Sequence, residues 1–251
     1  WIRDDHFIFL GAPCRSRWSP YHYKNLDLVE GSGLGLMRAT DLTIRSRAAG
    51  DVRDYARSVD FQTGETTVHW ADDLGAFERR MFVSRKAGVA VMLLTAPKSA
   101  LDCRLALEPR EPSDEFNADS DINKRSDEVF REHVSDIKST AGDSWLAYSN
   151  RFTKTYPGSI HALEGYARVV ATGGTTKPRD DGTLVVTGAD RILLFVDIRL
   201  LHDPEKSAIE EMKYRMKATK KMGLCRKYQF QMPPCWAITM SWVFSDPVYM
   251  T

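Results

Sequence analysis

The chain has 251 residues, 27% of them charged, and a formal net charge of +1. That length buries a substantial core in one large or two smaller domains. The near-neutral balance gives no electrostatic pull toward nucleic acid or an anionic membrane, and neither is expected as a partner; no apolar run approaches the ~20 residues that span a bilayer.

The start, Trp1-Ile2-Arg3-Asp4-Asp5, has no initiator Met and no cleavable apolar segment, so a fragment or processed chain is expected. Residues 1–40 carry little pattern beyond a strand signal at Phe7-Ile8-Phe9-Leu10 and a Pro- and Ser-containing loop to Pro20. From Asp41 the pattern changes to short strands separated by turns. Asp41-Leu42-Thr43-Ile44-Arg45 is the first, and Val52 to Phe61 the second, ending in the turn Gln62-Thr63-Gly64-Glu65. Thr66-Thr67-Val68-His69-Trp70 is rich in β-branched and aromatic residues, and Ala71 to Gly75 forms a polar turn. Phe77, Arg79, Met81 and Val83 then alternate with Glu78, Arg80 and Phe82. Val89 to Leu94 is apolar on both sides, as a covered strand should be. Leu101, Cys103, Leu105 and Leu107 alternate with Asp102, Arg104 and Ala106. Turns recurring about every 8–12 residues between such runs predict an antiparallel sandwich.

Residues 108–144 are charged and Pro-interrupted, which predicts an exposed excursion with a short helix around Asp127 to Ile137. Strands resume at Trp145–Tyr148, at Tyr166–Ala171 (closed by Gly173-Gly174), at Thr183–Val186 after the turn Asp180-Asp181-Gly182, and at Ile192–Ile198. The period then switches. Asp203 reads as an N-cap with Pro204 at the first helical position, and Ile209, Met212 and Met216 form one apolar face. Glu211 and Arg215 pair at i,i+4 on another face. The expected helix runs from about Pro204 to Lys220, and the tail after Gly223 is basic, then Met-, Trp- and Pro-rich. The fold class is therefore mainly β: a large antiparallel sandwich over 1–202 with an irregular front, then a linker helix and irregular tail over 203–251.

Candidate sites are few. Gly31-Ser32-Gly33-Leu34-Gly35-Leu36 suggests a dinucleotide loop, but Leu36 stands where the fingerprint needs Gly or Ala, and a strand follows in place of a helix. His6, His22, His69, His133, His161 and His202 show no metal-ligand spacing. Cys14, Cys103, Cys225 and Cys235 match no zinc ribbon or redox pair; Cys103 reads as a buried small hydrophobe, and the spacing leaves a Cys225–Cys235 bridge open. Asp72, Asp73, Asp180 and Asp181 lie in turns, where aspartates bond their own backbone. Arg79 and Arg80 are expected to face solvent on one side and pair locally on the other. Trp18, Trp70 and Trp145 have rings able to stack on a sugar, with burial in the sandwich core expected of the last two. There is no Gly-x-Ser-x-Gly elbow. No catalytic, cofactor-binding or metal-ligating residue is assigned, and no cofactor is expected.

Several segments in order carry a family pattern: Asp41 to Ile44, Asp54 to Phe61, Thr63-Gly64, Val68-His69-Trp70, Phe77 to Ser84, Val89 to Thr95, Gly165 to Val170 with Gly173-Gly174, and Leu184 to Asp190. Over roughly residues 40–210 the chain resembles the N-terminal domain of glycoside hydrolase family 95, the α-L-fucosidase type. The resemblance implies a β-sandwich that precedes a helical linker and an (α/α)6 catalytic barrel of the same parent chain. It implies an inverting mechanism whose acid and base lie in that barrel, with none carried over here. It further implies export from the cell. Residues 1–38 and the tail from Met222 fit it poorly, and Pro233-Pro234 would interrupt a helix. The expected function is an accessory domain of a fucosidase-like glycoside hydrolase, silent on its own, with an apolar patch exposed. A stand-alone carbohydrate-binding or structural interaction module is the alternative, with a glycan as its partner in the first case.

Overall fold

The computed structural model describes residues 5–10, 38–46, 48–84, 87–109, 134–153, 160–203 and 205–219. Thirteen strands are described: β1 Asp5–Leu10, β2 Arg38–Ser46, β3 Arg53–Asp60, β4 Glu65–Asp72, β5 Gly75–Ser84, β6 Val89–Thr95, β7 Leu101–Glu108, β8 Val134–Gly142, β9 Trp145–Phe152, β10 Ala162–Thr172, β11 Thr175–Pro178, β12 Leu184–Ala189 and β13 Arg191–Leu201. One helix, α1, covers Ile209–Thr219. The strands form a five-stranded sheet, β1-β2-β7-β12-β11, and an eight-stranded sheet, β3-β4-β5-β6-β13-β10-β9-β8. Every pairing is antiparallel.

Alternation decides which side of each strand meets the core. In β5, Phe77, Arg79 and Met81 turn inward; in β7, Leu101, Cys103, Leu105 and Leu107 do the same from the opposite sheet. They meet Leu94, Ile192, Leu194, Leu146 and Leu163, all buried. The two sheets are crossed. At one end of β2 and β7, Ser46 and Cys103 share a cavity with Trp70, Arg79 and Leu94 of β4, β5 and β6. Near the other end, the Ser139 hydroxyl of β8 donates to the Leu107 carbonyl at 2.8 Å, and the Leu107 and Thr40 side chains lie over Gly165 of β10. The small sheet's strands therefore run obliquely over the large sheet, passing along its strands from the level of Ile192 to that of Ile198 as well as across them. Eight residues of β7 reach ~26 Å, whereas eight strands side by side need ~34 Å. The edge strand β3 lies past that reach, and all eight of its residues are exposed.

The large sheet's outer face is covered in part by α1. Met212 and Met216 are fully buried there against Val89, Val91, Ala147, Tyr166 and Phe195. The covered strand expected at Val89 to Leu94 is thus apolar on both sides because one side meets the small sheet and the other meets a helix.

Several expectations need correction. The helix starts at Ile209, not Pro204, because Asp203 caps a separate turn: its carboxylate accepts the Glu205 N–H at 3.1 Å and pairs with Lys206. Val134–Ile137, expected at the end of a short helix, is strand β8, where pairing with β9 overrides local propensity; the rest of that helix falls outside the described residues. Trp145 lies outside the sandwich core, half-buried on the helix-covered face and stacked on Tyr166 at 6.1 Å. Arg79 faces inward and is buried, while Arg80 is exposed and pairs with Glu65. β11 was not anticipated; its four residues pair with β12 at the sheet edge, and the Thr176 hydroxyl donates to the Asp143 carbonyl at 2.6 Å.

Both edges of the large sheet carry the same device. Asp54 in β3 and Asp136 in β8 adopt left-handed backbone, with φ of 55° and 53°, beside register shifts at Arg53/Ala56 and Ser135/Lys138. A charged bulge interrupts the row of free N–H and C=O groups that would otherwise recruit another strand.

Candidate functional site

The residues that composition and spacing singled out are dispersed. His69 is exposed on β4, His161 precedes β10 and His202 follows β13. Among the described residues, no group of three or more His, Cys, Asp or Glu side chains is placed to hold a metal ion. The Gly31–Leu36 loop, Trp18, His22, His133, Cys14, Cys225 and Cys235 lie outside the described residues, and of His6 only the backbone is described.

The turn aspartates do what turn aspartates do. Asp72, 1% exposed, accepts the Ala49 N–H at 3.0 Å and the Leu74 N–H at 2.8 Å, tying the loop before β3 to the β4–β5 turn. Asp73 faces Arg53 at 3.4 Å. Asp181 accepts from the Thr183 N–H and hydroxyl and pairs with Arg104; the Thr183 bonds lead in holding its carboxyl below the usual value. Each is engaged in fixing a turn.

The cavity at the crossing of the sheets is lined by Ile44, Trp70, Asp72, Arg79, Asp102 and Cys103, among others, and measures about 30 Å³. That admits roughly one water and no sugar ring. Burial pushes the Cys103 thiol up to about 12, so no nucleophilic thiolate forms there near neutral pH.

Two surfaces remain. The first is the strip left uncovered by the crossed sheets. Arg57 and Val59 pair with Val68 and Thr66 on the core-facing side of the large sheet, yet lie beyond the small sheet. The Arg57 guanidinium lies over the Tyr55 ring, 5.2 Å from its centroid, and its Nε donates to the Tyr55 hydroxyl. Val52, Tyr55, Val59, Phe61 and Leu74 are all exposed, Phe61 by 91%. These side chains are spread from the β3–β4 turn to the β4–β5 turn, with the charged Arg53, Asp54, Arg57 and Asp60 between them.

The second is the seam under α1, which is charged as well as apolar. Glu164 of β10, 3% exposed, accepts the Ala208 N–H at 2.6 Å and the Ser207 hydroxyl at 3.0 Å. Arg168, also on β10, donates to the Met216 carbonyl at 3.0 Å. Arg215 reaches Asp197 of β13 at 3.1 Å and donates to the Ala87 carbonyl. Burial is the leading cause that raises the Asp197 carboxyl above its ordinary value, opposed by the Arg199 guanidinium beside it. Sequence reading missed these partners. Alternation places Glu164, Tyr166 and Arg168 on one face of a strand, but says nothing of a helix lying on that face.

A family model, described as the glycosyl hydrolase family 65 N-terminal domain, matches residues 35–200. The chain belongs to that domain family. The match covers almost the same residues as the resemblance to the family 95 domain. It establishes the coarser reading, the N-terminal domain of a glycoside hydrolase family, without the fucosidase type. Among solved structures, a putative kojibiose phosphorylase from the human microbiome is similar, at 9% identity and a TM-score of 0.44. The similarity covers 74% of this chain and 26% of that one, so the chain spans about a quarter of that structure's length. No curated protein matches the chain.

Proposed function

We propose that the chain is a non-catalytic N-terminal accessory domain of a glycan-processing enzyme, working beside a helical (α/α)6 catalytic domain of the same parent. The observation that carries this reading is the family match over residues 35–200, which takes in β2 through all but the last residue of β13. The described polar residues support it. Asp72, Asp181, Glu164 and Asp197 are all engaged in turns or in seating α1. The β3 edge leaves Tyr55 and Val59 exposed among charged residues, a mixed surface open to a neighbouring domain. The fucosidase-type specificity rests on the ordered segments from Asp41 to Asp190 and belongs to the parent.

The test is turnover by the purified 251-residue chain on a panel of aryl glycosides that includes the α-L-fucoside. The expected result is no hydrolysis above the blank. Turnover at rates ordinary for a glycosidase would overturn the reading.

A second reading, a stand-alone carbohydrate-binding module, is favoured by one observation: Tyr55 and Phe61 present exposed rings at the end of the large sheet. Sugar rings stack on such faces. A glycan array is the discriminating measurement, and binding lost in Tyr55→Ala and Phe61→Ala would favour this second reading.

A further inference from the structure

α1 sits on the sheet in a way that a connecting helix need not. Glu164 and Arg168 are four residues apart on β10, and both point to the outer face. That separation is ~13 Å along a strand. The groups they bind, the Ala208 N–H and the Met216 carbonyl, are eight residues apart along the helix, or ~12 Å. The two lengths match, so β10 grips the helix at both of its ends. The signs match as well. A carboxylate meets the N-terminal end, where free N–H groups carry partial positive charge, and a guanidinium meets a carbonyl of the last turns, where the charge is negative.

Between these ends, Met212 and Met216 fill the seam, 0% and 1% exposed. Arg215 adds a lateral tie to Asp197 on β13 and to the Ala87 carbonyl in the turn before β6. Flexible methionine packing by itself leaves the exact position of a helix weakly specified. Bonds at both ends do not.

We propose that β10 acts as a ruler for α1: Glu164 and Arg168 fix its position and direction, making it a rigid part of the sandwich. The folding unit then runs through α1 and not to a boundary at 202/203, and the family match ending at residue 200 stops short of it. Glu164 and Arg168 are positioning residues. This grip on α1 is independent of the sugar chemistry the parent performs.

Hydrogen exchange of the full 251-residue chain, read by peptide mass spectrometry, tests it. The α1 amides are expected to exchange as slowly as those of β10 and β13. In Glu164→Ala and in Arg168→Met, α1 exchange is expected to rise about fivefold or more, the size of a lost cap, while β2 and β7 change less. Should Glu164→Ala fail to fold, Glu164→Gln keeps the shape and carries the same expectation in the same direction. Two results would overturn the proposal. One is an α1 that already exchanges a hundredfold faster than β10 in the unaltered chain. The other is a rise in α1 no greater than that in β2 and β7, which marks a loss of global stability only.

Discussion

Gly64 and Gly174 offer a controlled comparison. Both have left-handed backbone, with φ of 68° and 63°. Any L-residue at either position incurs the same local strain, about 1 kcal/mol for alanine. Their surroundings differ. A Cβ on Gly64 would have nothing within 4 Å. On Gly174 it would stand 2.1 Å from the Thr187 carbonyl oxygen, 2.5 Å from the Gly188 carbonyl carbon and 2.6 Å from the Ala189 nitrogen. All three are backbone atoms of β12, which is pinned by β7 on one side and β11 on the other. No side chain can swing away, so the strand itself must shift by roughly 1 Å, and overpacking of that kind costs about 1–3 kcal/mol. Gly174→Ala should therefore lose about 2–4 kcal/mol, against about 1 kcal/mol for Gly64→Ala. Urea unfolding followed by tryptophan fluorescence measures both, with the midpoint lower for Gly174→Ala at an unchanged slope. Equal midpoints for the two variants would mean that β11 and β12 do not approach at Gly174, and the register Thr175 to Thr187 would be wrong.

Other expectations concern α1, Cys103 and Asp197. Met212→Ala should cost about 2–5 kcal/mol in urea unfolding, whereas Tyr214→Ala, on the 76% exposed side of the same helix, should stay within about 0.5 kcal/mol. Equal effects would place the wrong face on the sheet. Cys103, its thiol raised to about 12 by burial, should resist alkylation at pH 8 in the native chain and react in urea, as read by mass spectrometry of the peptide around it. Asp197 and Asp181 should have opposite signs in pH dependence. Burial raises Asp197 in the folded state, so protons favour folding at this site and its contribution improves as pH falls through the raised value. Asp181 is lowered, so its contribution is present above the unfolded value and lost as pH falls through the folded one. Unfolding midpoints from pH 7 to pH 3 for Asp197→Asn and Asp181→Asn should show the unaltered chain gaining on the first variant and losing ground to the second. The same slope for both would refute the assignment.

Much of the fold was legible because period-2 alternation is a direct record of which side of a strand is covered. Leu101, Cys103, Leu105 and Leu107 declared one face, and all four are buried. The turns at Gly64, Asp72–Gly75, Gly173-Gly174 and Asp180–Gly182 were legible for the same local reason: glycine tolerates left-handed backbone and aspartate bonds the next N–H. Even the apolar face of α1 was readable at Ile209, Met212 and Met216. β8 was not, because Val134–Ile137 becomes a strand only where β9 is present to pair with it.

The sequence by itself determined most of the strands, the turn chemistry, most of the apolar faces and the glycoside hydrolase type of domain, since each of these is written in neighbouring residues or in their order. Tertiary structure decided what those faces meet. It crossed the two sheets, so that β3 with Tyr55 and Val59 overhangs exposed. It turned Arg79 inward, put Trp145 on the helix side, and moved the start of α1 from Pro204 to Ile209. The reason is one of distance along the chain: Glu164 sets the start of α1 from 44 residues away. Such a partner is chosen by how sheets and helix pack, and no local pattern records it.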